Sequence, residues 1–175
     1  DNLYKVACDE LRKVDMSMIK PTDSVNVLAS HHGFTLLGGQ PYAILLKAIR
    51  DVVHEKTGTD DIRLRAGVGM RFRETEEYIK RYELDKHYGP GKTKGVAPVD
   101  EGIPIETEVG TLYGIKAIYD ADWIIHAHHT DVREVHFHRQ IDKAVKPFGM
   151  SYARIETRST YHQNLGPRAA NFTAR

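Results

Sequence analysis

Cysteine is almost missing from this chain. One residue, Cys8, occurs in 175, so no disulfide can form within the chain. That leans towards a reducing compartment, and a cytoplasmic location is expected. An excess of one charge sign is lacking too: 25 Lys and Arg balance 24 Asp and Glu, giving a net charge of +1. Nucleic-acid binders carry a basic excess or stripe, so no nucleic-acid partner is expected. No apolar run approaches the roughly 20 residues of a membrane helix, and no signal peptide is visible, so no membrane partner is expected. Internal repeats, low-complexity tracts, the HExxH zinc helix, the GxSxG elbow and the P-loop are all missing. Cys8 lies in a helix-like stretch near the N-terminus, which argues against a cysteine nucleophile.

Histidine is what the chain has in excess. Residues 126–138 read HAHHTDVREVHFH, which holds five of its ten histidines. That density fits a metal site, an acid/base site, an anion-binding crevice or a histidine-rich helix face.

The surrounding pattern helps to choose. VNVLAS (25–30) is rich in β-formers and runs into SHHGFTLLGGQP, which reads as a Gly-rich loop. From Pro41, residues Tyr42, Leu45, Leu46, Ile49, Val52 and Val53 follow a helical rhythm, with Gly58 as the stop. IRLRAG (62–67) reads as a second strand. RETEEYIKRYELDKHYG reads as a helix, acidic first and basic later, as the helix dipole favours. Residues 3–18 have roughly helical spacing, and GPGKTKGVAPVDEG (89–102) reads as a loop. IPIETEVGTLYG reads as a strand and turn or a hairpin, IKAIYDAD as a short helix and WIIHAH (123–128) as a strand. DVREVHFHRQIDKAVKPFG (131–149) reads as a helix and SYARIETRST (151–160) as a further strand.

Alternating strands and helices predict an α/β fold: an open, mainly parallel sheet with helices on both faces, Rossmann-like. Residues 1–21 are expected to be an N-terminal helical extension and 22–175 the α/β domain. The start at Asp1 and the end on NFTAR read as a piece of a longer chain. Ligands of such sheets sit beyond the carboxyl ends of the strands. If the strands are parallel, Ser30-His31-His32-Gly33, Gly67 to Arg73, and His126-Ala127-His128 share one rim.

Each candidate has two readings. His126 and His128 share a strand face; they form a metal half-site or two ligand-facing bases, or else one core and one exposed histidine. His31 and His32 precede glycines that let backbone approach a phosphate or carboxylate, or lie in a plain connection. Arg71 and Arg73 offer guanidinium forks to a substrate carboxylate, or face solvent beside the next helix. His136 shares a helix face with Gln140 and Lys143, which is either functional or simply solvated.

The stretch IPIETEVGTLYGIKAIYDADWIIHAHHTDVREVHFH resembles the N-terminal domain of the nickel-dependent lactate racemase family. The likeness spans roughly residues 22–150 and rests on element order and hydropathy. It implies two α/β domains with the active site between them, so a second domain or a second copy is an expected partner. It also implies a nickel-pincer nucleotide attached to a lysine, with histidines that bind nickel and move a proton or hydride. Lys143 matches the cofactor lysine best, with Lys146 second. His136 matches the histidine of the family's PH pair, and His128 joins it as a candidate ligand of nickel or another divalent metal. The chain departs from the family in three places. Arg71 or Met70 stands near the expected TGxHR histidine, RQI replaces the SGG segment, and SHHGFTLLGG replaces the first loop.

The expected function is a racemase or epimerase domain acting on a small 2-hydroxy acid or sugar acid. His126, His128 and His136 would transfer the proton, and His31, His32, Arg71 and Arg73 would hold the carboxylate substrate. A non-catalytic module binding a carboxylate, nucleotide or metal is the alternative. A metal-dependent hydrolase ranks third, because paired carboxylates at a suitable spacing are missing.

Overall fold

A computed structural model describes residues 2–36, 39–67, 73–108, 110–128 and 146–165. Four parallel strands form the main sheet: β1 (Val25–Ser30), β2 (Ile62–Gly67), β3 (Thr93–Val96) and β6 (Trp123–Ala127), in the order β3-β2-β1-β6. Strands β4 (Gly102–Thr107) and β5 (Gly110–Ile115) pair antiparallel as a separate hairpin. The helices are α1 (Asn2–Leu11), α2 (His31–Leu36), α3 (Gln40–Thr57), α4 (Arg73–Arg81), α5 (Leu84–Tyr88), α6 (Lys116–Tyr119) and α7 (Ile155–Leu165). The expected α/β, Rossmann-like sheet is present, and β4–β5 is the hairpin that the alternation in 103–114 allowed.

The sheet's first face carries Val25, Val27 and Ala29 of β1 with Ile62, Leu64 and Ala66 of β2. They pack on Ala43, Leu46, Ile49, Val52 and Val53 of α3, which has Pro41 in its first turn and ends at Gly58 in a left-handed conformation. Proline suits a first turn because its missing N–H would have had no helical partner there, and glycine suits a left-handed stop because it has no Cβ to clash. Helix α1 joins this core through Cys8. Asp51 of α3 accepts from Tyr4 Oη at 2.6 Å and lies 2.9 Å from His87 Nε2, which ties α1 and α5 to α3.

The second face differs. Leu28 packs there with Val96, Ile115, Ile118 and Tyr152. Asn26 Nδ2 donates to the carbonyls of Ala117 and Ile118, and Arg65 Nε also reaches Ala117. These side chains satisfy carbonyls that the four-residue helix α6 cannot satisfy itself.

Several expectations need correction. The stretch 30–41 is not all loop, because α2 begins directly at His31. Residues 93–96 form β3 within the predicted loop 89–102, because β2 offers its open edge from Leu64 to Gly67. The helix expected over 73–89 is two helices broken at Glu83, whose φ is +53°. Helix α1 stops at Leu11 rather than continuing to residue 18. The strand expected over 151–160 is helix α7 from Ile155, preceded by a single bridge from Ala153 to Gly114. Its buried face is Thr157, Arg158 and Tyr161, a helical spacing of largely polar groups that apolar periodicity does not detect.

Candidate functional site at the carboxyl rim of the sheet

Strand order decides where a ligand fits. From β1 the chain moves to β2 and β3 on one side, then returns to β6 on the other. In open α/β sheets the crevice lies where the order reverses, beyond the strand carboxyl ends. Here that point is between Ser30-His31 of the β1 end and Ala127-His128 of the β6 end.

Tyr42 forms the floor of this crevice. Its register partner strands last pair at Ala29 and Ala127. Beyond that pair, Tyr42 Oη accepts from the Ser30 N–H at 3.3 Å and donates to the Ala127 carbonyl at 2.5 Å. A phenol from α3 thus takes the place of a ladder hydrogen bond where the two strands part. Burial pushes its pKa well up, so the hydroxyl stays protonated and able to donate. Gly33 permits the arrangement, since a Cβ there would come within 2.3 Å of the Tyr42 ring.

On the β6 side, His126 and His128 come together as strand alternation required, with ring centroids 5.0 Å apart. His126 is half-buried, with Phe148 and Tyr152 edge-on to its ring at 5.2 and 5.5 Å. His128 is exposed. The pair therefore combines one ring locked by aromatic packing with one open to a ligand. Tyr152 reaches this position because Gly67 ends β2: a Cβ on Gly67 would lie 2.5 Å from the Ser151 carbonyl oxygen and 2.7 Å from the Tyr152 ring.

On the β1 side, His31 Nε2 lies 2.9 Å from Glu74 Oε2, with both side chains roughly three-quarters covered. The His31 ring also rests near Tyr78, at 5.9 Å, and Tyr78 stacks on Phe34 at 5.1 Å. Glu74 was legible only as an acidic first turn of a helix, and its pairing with His31 follows from β1 and β2 being neighbours.

The other expected site residues divide as follows. His32 lies in α2 and Arg73 opens α4, while their side chains fall outside the described residues. Arg71, His136 and Lys143 lie outside the described residues altogether, as does most of the helix expected over 131–149. Lys146 is exposed at the start of a helical turn, 146–149, whose Phe148 reaches His126. Tyr42, Phe148 and Tyr152 were not foreseen as site residues. The first was read as part of an apolar helical stripe and the last as part of a strand.

Among the described residues, no group of three or more His, Cys, Asp and Glu side chains could hold a metal ion. His126 and His128 lie side by side, and two imidazoles are only half of a tetrahedral ligand set. The described residues therefore do not form a complete nickel or zinc site. Among them, no helix is long and apolar enough to cross a membrane. A shallow depression beside Lys86, Pro90 and Thr93 opens at the start of β3, at the opposite end of the sheet from the histidines.

No protein-family model, curated protein or solved structure matches this chain.

Proposed function

We propose that this chain is the N-terminal α/β domain of a cytoplasmic racemase or epimerase related to the nickel-dependent lactate racemases. Its substrate would be a small 2-hydroxy acid or sugar acid. The observation that carries the reading is the placement of His31, His126 and His128 at the carboxyl ends of β1 and β6, either side of the sheet's reversal point.

His128, exposed at that rim, is the side chain assigned to take up and return the substrate's α-proton. Imidazole suits this work because its usual pKa near 6.5 allows transfer in both directions near neutrality. His126, clasped by Phe148 and Tyr152, sets the orientation of its neighbour. Arg71 and Arg73 would hold the carboxylate, with Lys143 as the cofactor lysine and His136 as the metal ligand. The family likeness would place the finished active site between this domain and a second one or a second copy.

The test is α-hydrogen exchange of L-lactate and related 2-hydroxy acids in D2O by the full-length protein. Exchange in the wild type, abolished in His128→Ala, is the expected result. Near-wild-type exchange by His128→Ala would remove that residue's role. Tight carboxylate binding with no exchange in any variant would turn the reading into a binding module. Nickel near one per chain by mass spectrometry would support the pincer cofactor, whereas zinc with ester cleavage would favour a hydrolase.

A further inference from the structure

We infer that Tyr42 is a positioning residue: its hydroxyl pins the parted ends of β1 and β6 and thereby fixes the peptide that carries His128. The kinetic part of the inference rests on the racemase reading, while the structural part stands apart from it.

Strand β1 stays paired with β2 through its last residue, Ser30 against Gly67. It leaves β6 one residue earlier, after Ala29 and Ala127. Parting two neighbouring strands takes ladder partners away from an N–H and a carbonyl, and such buried groups are costly unless they are bonded. Tyr42 answers both with one hydroxyl, which accepts from the Ser30 N–H at 3.3 Å and donates to the Ala127 carbonyl at 2.5 Å. That carbonyl belongs to the planar peptide joining Ala127 to His128. Holding its oxygen therefore sets the direction in which His128 leaves the strand.

The phenol is itself held. Tyr42 follows Pro41 at the start of α3, where proline fixes the backbone of the first turn. Its side chain is wholly buried. Phe34 meets the ring edge-on at 5.0 Å, and a Cβ on Gly33 would come within 2.3 Å of it. Helix α2 thus braces the ring from one side while the two strands hold the hydroxyl. Burial keeps that hydroxyl protonated, so it remains a donor to Ala127.

A tyrosine that only fills the core makes a different prediction. Losing its hydrogen bonds lowers the melting temperature under either role. Only a positioning role also moves His128, whose exposed side chain lies beyond the pinned carbonyl. Only that role lowers turnover by protein that is still folded.

The experiment compares full-length wild type, Tyr42→Phe and Gly33→Ala. The first variant removes the hydroxyl and keeps the ring. The second keeps the hydroxyl and crowds the ring, so it carries the same comparison if Tyr42→Phe does not fold. The first readout is the NMR spectrum. Both variants should shift the ring and amide resonances of His128, with Trp123 at the far end of β6 unmoved. In Tyr42→Phe the Ser30 amide should exchange about 10-fold faster, the scale of one lost hydrogen bond. The second readout is α-hydrogen exchange of L-lactate in D2O, well below each melting temperature. Tyr42→Phe should lower kcat by about 10- to 100-fold, the scale of a displaced reacting group, with KM little changed. Unmoved His128 resonances in both variants overturn the positioning role. Shifted resonances with wild-type kcat overturn its kinetic consequence while the racemase reading stands. If the wild type shows no exchange, the racemase reading fails and takes the kinetic part with it, and the His128 resonances alone decide whether Tyr42 positions that peptide.

Discussion

The two faces of the main sheet are built by different physics. On the first, α3 lays an apolar stripe on alternate residues of β1 and β2, and Val27, Leu46, Val52 and Leu64 are wholly buried. On the second, the covering pieces are short or irregular, and much of their attachment is polar. Asn26 and Arg65 hold the carbonyls of α6, Arg63 holds that of Asp120, and buried Arg158 donates to the Ser151 and Ala153 carbonyls. Removing that guanidinium from water lowers its pKa to about 10, so it remains charged at neutral pH. His126 also faces this second side, among Phe148 and Tyr152. The contrast teaches that apolar packing carries most of the first face, with Tyr42 as its directed contact at the rim, while the second face relies more on hydrogen bonds to short covering elements.

Substitutions can break or sharpen that contrast. The largest effect is expected on the first face. Leu46→Ala removes a side chain with no solvent exposure and should cost about 2–5 kcal/mol in denaturant unfolding. A loss well below that range would mean that α3 is not the main anchor.

Gly67→Ala attacks the second face where it meets the site. The new Cβ would lie 2.5 Å from the backbone oxygen of Ser151, which a side-chain rotation cannot relieve. A destabilisation of about 1–3 kcal/mol is expected from such overpacking, together with altered resonances for His126 and Tyr152. Unchanged His126 resonances would show that segment 146–161 does not depend on this close approach.

Asn26→Ala removes two donors from α6 carbonyls and should cost about 1–3 kcal/mol, with amide exchange accelerated around residues 116–120. Acceleration spread evenly over the protein would contradict a local clasp.

An acid titration probes the charged edge of the same face. Hydrogen bonds from Arg63, joined by Lys92, push the Asp61 pKa down to about 2. A depressed carboxylate stabilises the folded state above its unfolded pKa, near 3.9, and that contribution disappears as pH falls towards 2. Asp61→Asn should therefore flatten the loss of stability between about pH 4 and 2. An unaltered slope in that window would show that the ion pairs are inert.

The smallest change is expected from Tyr152→Phe. The Tyr152 hydroxyl is fully buried and has no hydrogen-bond partner among the described residues. An orphaned buried hydroxyl costs free energy, so its removal should leave the melting temperature unchanged or raise it slightly. A clear loss of stability would reveal a partner for that hydroxyl, such as an internal water.

Legibility followed the same division. The parallel sheet, helix α3 and the Gly58 stop could be read because apolar spacing and helix punctuation are local signals. The shared face of His126 and His128 could be read because strand alternation is geometric. Helix α7 was misread because its buried face uses Thr157 and Arg158, and β3 was misread because Gly95 and its surroundings look like loop until β2 pairs with them. The site was half legible: its histidines stand out in the sequence, whereas Glu74, Tyr42, Phe148 and Tyr152 join it only across long separations.

The amino-acid sequence by itself determined the layered α/β architecture and the presence of imidazoles at strand ends, because hydrophobic period and turn chemistry act over a few residues. Only the tertiary structure decided that β6 returns beside β1 rather than β2, and that choice puts the reversal point between Ser30 and Ala127. It also decided that Tyr42 floors the crevice and that Glu74 meets His31. Those contacts join residues 12 to 85 positions apart, and what brings them together is burial of the two sheet faces, which no local stretch of chain encodes.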